Sequence, residues 1–148
     1  QLKQKPQKKE PKRIQKENNV SFISKIQGLN HGHQLCQAFA NEWIAAWNAH
    51  DLDRILSHYD DHFEMTSPII VQLLGDPAGT LQGKAKVRAY WQKALSLMPD
   101  LKFELLSVLI GVNSITINYF GARGRLSAEI FYFGTNHQVI KAVAHYAA

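Results

Sequence analysis

The sequence predicts an α+β fold in which helices come first along the chain and strands follow. Between residues 35 and 98, apolar side chains recur about every four positions, which is the spacing of an amphipathic helix. After Pro99 the spacing changes to two, the period of a β-strand, and short glycine-containing segments separate the apolar runs. Because helices and strands occupy separate parts of the chain, we expect three helices packed on one face of a curved antiparallel sheet.

A stripe of large apolar residues four positions apart indicates the first helix: Leu35, Phe39, Trp43 and Trp47. The stripe stops at "NAHD", where Asp51 is expected to cap a second, shorter helix. An aspartate suits this position because its carboxylate can accept a hydrogen bond from a free backbone N–H of the first turn. Two helices in succession are therefore expected to open the domain.

The next segment combines a short strand, a turn and the third helix. "DDHFEMTSP" predicts a strand that ends at Pro68, because proline cannot donate a ladder hydrogen bond. "GDPAGTLQG" then supplies turn residues. The third helix is expected from about Lys84 to Leu97, with Val87 and Trp91 on its apolar stripe.

The remainder of the sequence predicts a meander of four strands, at about 101–110, 113–121, 125–134 and 138–146. The links "GVN", "GARG" and "GTNHQ" are short and contain glycine, as antiparallel hairpins require. The third of these strands, "RLSAEIFYFG", is mostly apolar on both faces, so both faces are expected to be covered. This strand also contains a carboxylate, Glu129, which is unusual in a strand that is covered on both faces.

The N-terminal segment differs in composition from the rest. Residues 1–33 carry eight basic and two acidic residues, and residues 1–19 contain too little apolar area to offset chain entropy. Residues 20–29 could form a short helix or a strand, and "NHGH" predicts a loop. We therefore assign residues 1–33 to a basic, flexible extension and residues 34–148 to a folded domain. The extension is either a contact for a polyanion or a solvated leader.

Composition excludes several classes of protein. The domain has nine basic and ten acidic residues, so nucleic acid binding is not expected except through the basic extension. A single cysteine, Cys36, excludes an internal disulfide and a cysteine-rich zinc site. Neither a metal-ligand spacing nor a glycine-rich phosphate loop occurs, so no metal or cofactor is expected. The chain shows no bilayer-length apolar run and no signal-peptide pattern, and we expect a cytoplasmic protein.

Several motifs resemble the SnoaL-like group of the nuclear transport factor 2-like superfamily, which includes ketosteroid isomerases and polyketide cyclases. They are "FANEWIAAWNAHDLDRILSHYDDHFEMTSP", "LQGKAKVRAYWQKAL" and "AEIFYF…HQVIKAVAHY". The resemblance implies a cystatin-like cone in which three helices and a strongly bent sheet enclose one apolar pocket. It also implies a homodimer formed through the outer face of the sheet, which would explain why the strand "RLSAEIFYFG" is apolar on both faces.

The catalytic groups of the isomerase branch carry over poorly to this sequence. The position of its carboxylate base falls at Thr66 or Ser67, and neither can abstract a proton from carbon. The position of its helix tyrosine falls at Trp43, which has an indole N–H and no hydroxyl. The strand acid is retained as Glu129. The resemblance therefore does not imply steroid isomerisation by the isomerase mechanism.

Glu129 is nevertheless the predicted catalytic residue. It shares a strand face with Ser127 and Phe131, where it would be poorly hydrated, and burial raises the pKa of a carboxyl group. A neutral acid in a pocket can donate a hydrogen bond to a carbonyl oxygen, and a charged one can act as a base. The alternative is a structural glutamate paired with Arg123, Arg125 or a tyrosine hydroxyl.

The predicted pocket wall consists of apolar and aromatic residues together with one amide: Trp43, Tyr59, Met65, Trp91, Asn118 and Tyr146. Asn118 belongs to the wall only if the polar face of its strand points inward rather than to water. In the last strand, alternation allows only one of His145 and Tyr146 to point inward. The family pattern favours Tyr146.

Taken together, these features predict a protein that binds a small, apolar, carbonyl-bearing ligand. The expected reaction types are isomerisation, cyclisation or hydration, with Glu129 as the acid or hydrogen-bond donor. The alternative is a non-catalytic scaffold for dimerisation or ligand binding. A scaffold of this kind would have a fully packed interior and a salt-bridged Glu129.

Overall fold

The computed structural model describes the backbone of residues 13–148 and the side chains of residues 32–148. The predictions for residues 1–12 lie outside the described residues. The chain divides after Gln34 into two units, of which the second, residues 35–148, carries the whole sheet and the candidate site. No helix in the described residues has an apolar stretch long enough to cross a bilayer.

The structure contains four α-helices and six strands. The helices are α1 (Arg13–Asn48), α2 (Leu52–Leu56), α3 (Pro68–Leu74) and α4 (Lys84–Leu97), with a 3-10 turn at Ala122–Gly124. The strands are β1 (Tyr59–Thr66), β2 (Thr80–Gln82), β3 (Glu104–Gly111), β4 (Ser114–Phe120), β5 (Leu126–Phe133) and β6 (Val139–Tyr146). The α+β class and the four-stranded meander are confirmed.

One local prediction is wrong, and one helix was not predicted. The predicted loop "NHGH", residues 30–33, lies within α1. Its single glycine costs a helix only about 1 kcal/mol, which its neighbours can offset, and no proline interrupts the helix there. The first strand ends before Pro68, as predicted, but Pro68 also occupies the first turn of the unpredicted helix α3, where its missing N–H costs nothing. Ser67 caps this helix by accepting a hydrogen bond from the Ile69 N–H at 3.1 Å.

The strands form one sheet in the order β2-β1-β6-β5-β4-β3. All neighbouring strands are antiparallel except β1 and β6, which run parallel. Glu129 lies in the middle of this sheet, where its backbone partners are Ile117 on β4 and Ala144 on β6. The meander therefore places Glu129 on a central strand with a neighbour on each side.

An aromatic cluster joins α1 to the inner face of the sheet. The Trp43 ring packs edge-on against Tyr119 and Phe131, at centroid distances of 5.3 Å each, and stacks with Phe103 at 5.5 Å. The Trp43 indole N–H donates to the Tyr59 hydroxyl at 2.9 Å. Because a buried indole N–H needs an acceptor, this bond fixes the orientation of the Trp43 ring within the core.

The end of α1 fixes the start of β3. The Asn48 side chain donates to the Phe103 carbonyl at 3.0 Å and accepts from the Phe103 N–H at 2.7 Å. The His50 ring lies 2.7 Å from the Leu101 carbonyl. Asp51 caps α2, as predicted, by accepting from the Arg54 N–H at 3.0 Å. These bonds hold the segment that forms one edge of the candidate site.

Candidate active site

A cavity of about 50 Å³ lies between α1, α4 and the inner face of the sheet. The three tryptophans of the chain, Trp43, Trp47 and Trp91, all line it. Among the described residues in the wall, Glu129 is the one with a carboxyl group. The cavity is therefore an apolar, largely aromatic space with one acidic group.

Glu129 reaches this cavity because β5 alternates as predicted. Ser127, Glu129 and Phe131 are buried, and Leu126 and Tyr132 on the opposite face are exposed. Glu129 is only 4% exposed. An inward position in the centre of the sheet therefore removes its carboxyl group from bulk water.

In the part of the chain that the structure describes, no cation stabilises the charge of the Glu129 carboxyl group. None of the ion pairs among the described residues includes it. Arg125, a predicted alternative partner, instead donates to the Ala147 carbonyl at 2.7 Å and lies over the Tyr146 ring. Burial alone therefore decides its protonation and raises the pKa of Glu129 to about 8. At pH 7 most molecules carry a neutral carboxyl group at this position.

Tyrosine hydroxyls add further polar groups to the wall. Tyr90, Tyr119 and Tyr146 all line the cavity. Burial, and secondly the charge of Glu129, raises the pKa values of Tyr119 and Tyr146 well above the usual range for tyrosine. Burial likewise raises the pKa of Tyr90 to about 12. These hydroxyls stay protonated at neutral pH and can donate hydrogen bonds.

Five of the seven predicted site residues meet in this wall: Trp43, Met65, Trp91, Glu129 and Tyr146. Tyr59 does not, because it lies behind Trp43, is fully buried and accepts the hydrogen bond from the Trp43 indole. Its placement in the ligand wall is therefore wrong, although it positions a residue that does belong there.

The placement of Asn118 in the wall is also wrong. Asn118 lies opposite Ala128 on the outer face of the sheet and donates to the Ser107 hydroxyl at 2.9 Å. The apolar set of β4, which includes Ile117 and Tyr119, points inward instead. His145 lies beside Ala128 on the outer face, as predicted.

The predictions missed four aromatic members of the wall: Trp47, Tyr90, Phe103 and Tyr119. Trp47 continues the stripe of Trp43 on α1, and its buried indole N–H has no hydrogen-bond partner among the described residues. Tyr90 precedes Trp91 on α4, and Tyr119 follows Asn118 on β4. The alternation of apolar residues along β4 is the sequence feature that could have placed Tyr119 in the wall.

The structure also accounts for the two residues at the position of the isomerase base. The Thr66 hydroxyl is 2.9 Å from the Thr80 hydroxyl, and the Ser67 hydroxyl accepts from the Ile69 N–H. Thr66 therefore serves local structure, whereas the Ser67 hydroxyl also lies 3.5 Å from the hydroxyl of Tyr146, which lines the cavity. In the described residues, no three or more histidine, cysteine, aspartate or glutamate side chains are grouped as metal ligands.

A second hollow, of about 410 Å³, adjoins the cavity, and we call it the vestibule. The two spaces share the lining residues Met98, Leu101, Gly121 and Ala122. The vestibule therefore lies beside the cavity, between the end of α4 and the link from β4 to β5.

Comparison with solved structures identifies similar proteins. A SnoaL-like protein of unknown function from Burkholderia thailandensis is 58% identical over 76% of this chain and 94% of that chain, with a TM-score of 0.74. An NTF2-like protein of unknown function from Cytophaga hutchinsonii is 12% identical over 72% and 84% of the two chains, with a TM-score of 0.54.

A third similar structure belongs to a protein with a described role. It is SalBIII, an epoxide hydrolase/cyclase-like enzyme in pyran ring formation in the polyether salinomycin. It is 12% identical over 78% of this chain and 92% of that chain, with a TM-score of 0.61. At this identity the likeness shows a shared fold. No curated protein matches the sequence significantly.

The match to a family model covers most of the domain. The family model described as a SnoaL-like domain matches residues 40–146, which include every strand and the whole cavity wall. This match confirms the resemblance found in the sequence. The chain belongs to the SnoaL-like family of the nuclear transport factor 2-like superfamily.

Proposed function

We propose that this domain binds a small apolar ligand whose carbonyl oxygen accepts a hydrogen bond from protonated Glu129. The observation that carries this proposal is a buried carboxyl group in the cavity wall to which the described residues offer neither an ion pair nor a hydrogen bond. Buried polar groups in folded proteins are normally hydrogen-bonded, so an unpartnered one facing a cavity favours a ligand. A ligand carbonyl would supply the missing acceptor.

The same geometry supports acid catalysis. A carboxyl group that donates to a carbonyl oxygen polarises the C=O bond, and the hydrogen bond strengthens as negative charge develops on that oxygen. The apolar wall increases this effect because little water competes for the charge. The neutral hydroxyls of Tyr119 and Tyr146 are further donors in the same wall.

Among the reaction types that remain, the site favours those that need an acid but no separate strong base. Thr66 and Ser67 cannot provide one, and the wall has no second carboxyl group among the described residues. Cyclisation fits this condition, since the substrate supplies its own nucleophile. The cyclase-like role described for SalBIII supports the same choice.

A non-catalytic scaffold is less well supported. A scaffold would be expected to pair Glu129 with a cation, and the described residues provide none. The cavity of about 50 Å³ is nevertheless smaller than typical ligand pockets of roughly 300–1,000 Å³. It accommodates the carbonyl end of a ligand, whose remaining atoms would occupy the vestibule.

Methyl ketones of increasing chain length are expected to bind and to quench tryptophan fluorescence, because all three tryptophans line the cavity. Glu129→Leu should weaken this binding by roughly 10- to 100-fold, the usual effect of losing a hydrogen bond from a buried polar group. Asn118→Ala, on the outer face, should bind as the wild type does. The proposal is contradicted if no ketone alters the fluorescence, or if Glu129→Leu binds every ketone normally.

The buried acid should also make stability depend on pH. The pKa of Glu129 is about 8 in the folded protein and about 4.3 for a glutamate in an unfolded chain. Between these values the folded state holds more protons, so the free energy of unfolding falls as pH rises. Stability is therefore highest below the unfolded pKa and is lost progressively up to the folded pKa. The slope contributed by Glu129 is at most about 1.4 kcal/mol per pH unit.

Urea denaturation of the wild type and of Glu129→Gln, between about pH 5 and pH 9, isolates this contribution. The wild type should lose stability relative to the variant as pH rises. Burial lowers the pKa of His58, but His58 is present in both proteins and cancels in the comparison. Parallel pH profiles for the two proteins would show that Glu129 has an ordinary pKa.

We further propose a homodimer formed through the outer face of the sheet. This face exposes large apolar side chains: Leu106, Leu109, Phe120, Leu126 and Tyr132. Several large exposed apolar side chains on one face of a sheet indicate an interaction site. A sheet face can pair with its own copy around a two-fold axis, which makes a second copy of the chain the expected partner.

Charges placed on this face should separate the two copies. Leu109→Lys combined with Leu126→Lys is expected to convert a dimer to a monomer in analytical ultracentrifugation at matched concentration, because both lysines would be buried unpaired. Leu35→Lys is the matched control, since Leu35 is 59% exposed, close to the 58% of Leu109, and lies on α1 rather than on the sheet. A monomeric wild type, or a double variant that remains a dimer, would refute this interface.

A further inference from the structure

The vestibule differs in chemistry from the cavity that it adjoins. The cavity wall is aromatic and apolar, and the vestibule is lined by two cations, Lys102 and Arg123, and one acid, Asp100. All three side chains are exposed to solvent. The vestibule beside the apolar cavity therefore carries a net positive charge.

Local packing and hydrogen bonds fix the backbone of both cationic residues beside the vestibule. Lys102 lies between Leu101 and Phe103, two residues of the cavity wall, and Asn48 fixes Phe103 with two hydrogen bonds. The Lys102 side chain itself is exposed and lines the vestibule. The packing of its two neighbours in the cavity wall therefore fixes its backbone beside the vestibule.

Arg123 is fixed by the turn that links β4 to β5. The Gly121 N–H donates to the Arg125 carbonyl at 2.8 Å, and the Gly124 N–H donates to the Gly121 carbonyl at 3.1 Å. Arg123 adopts a φ of 56°, in the left-handed region that favours glycine. An arginine therefore occupies a strained position beside Ala122, which lines both the cavity and the vestibule.

Neither cation has an anionic partner in the described residues. The ion pairs found there include neither Lys102 nor Arg123. Arg125 differs from these two cations because its guanidinium has partners within the chain: it donates to the Ala147 carbonyl and lies over the Tyr146 ring. Lys102 and Arg123 are therefore available to an anion that enters the vestibule.

We infer that the ligand is an oxo acid, with its carbonyl group at Glu129 in the cavity and its carboxylate in the vestibule near Lys102 and Arg123. This inference rests on the proposed function of Glu129 and adds the chemistry of the other end of the ligand. The small cavity requires that most of the ligand lie in the vestibule, where the lining is charged. Guanidinium and ammonium groups are the side chains that recognise carboxylates.

The test compares oxo acids with their methyl esters, which have the same carbonyl end and no charge. Levulinate, 6-oxoheptanoate and 8-oxononanoate form a series of increasing length, and tryptophan fluorescence reports binding to the cavity. The best-fitting acid should bind about five- to tenfold more tightly than its ester at low ionic strength. This advantage should shrink as salt is added, since the charges are exposed.

Variants at the vestibule separate its contribution from that of Glu129. Lys102→Gln combined with Arg123→Gln should abolish the advantage of the acid and leave ester binding unchanged. Asp100→Asn should increase the advantage, because it removes the one acid in the lining. Lys86→Gln removes one positive charge from an exposed site on α4 outside the vestibule and should have no effect, whereas Lys102→Gln or Arg123→Gln alone should reduce the advantage of the acid.

Three outcomes overturn the inference, and they distinguish its failure from the failure of the proposed function. If acid and ester bind equally well in the wild type, and Glu129→Leu weakens both, the carbonyl site stands and the oxo-acid assignment is wrong. An advantage of the acid that survives loss of both cations leads to the same conclusion. If no acid and no ester binds, the proposed function fails and the inference fails with it.

Discussion

Removal of the Glu129 carboxyl group from water is the constraint on which the rest of the site depends. The group is almost fully buried on the inner face of a central strand, and no ion pair among the described residues compensates for its charge. Ionisation there is costly, so the proton is retained at neutral pH. A retained proton makes Glu129 a hydrogen-bond donor rather than a base. The same burial keeps the neighbouring hydroxyls of Tyr119 and Tyr146 protonated, so the polar groups of the cavity are mainly donors.

The fold supplies this environment through a small number of fixed contacts. The pairing of β5 between β4 and β6 places Glu129 in the centre of the sheet, away from any edge. Trp43, held by its hydrogen bond to Tyr59, covers the sheet from the side of α1. Asn48 ties the end of the same helix to Phe103, which closes another side of the cavity. The acid therefore depends on packing from distant parts of the sequence, which a single strand could not provide.

The alternation of β5 placed Glu129 on one face with Phe131, a residue that is normally buried, and the family resemblance indicated that this face carries the strand acid of the pocket. The same reasoning was inconclusive for Asn118, since a polar strand face can meet either a cavity or water, and here it lies on the outer face. Tyr59 was misplaced because hydrophobic spacing shows which residues are buried but not their depth. The missed helix α3 begins at Pro68, where one residue type serves both as a strand terminator and as a helix starter. Local pattern therefore predicts elements and faces, and tertiary packing decides which buried side chains reach the cavity.

The protonation state of Glu129 can be observed directly by NMR. In protein labelled with ¹³C at the glutamate carboxyl carbons, Glu129→Gln identifies the signal of Glu129 by its loss. The account predicts one carboxyl signal that titrates near pH 8, well separated from those of the exposed glutamates. A Glu129 signal that titrates near about pH 4.3, the value for a hydrated glutamate, would contradict the account.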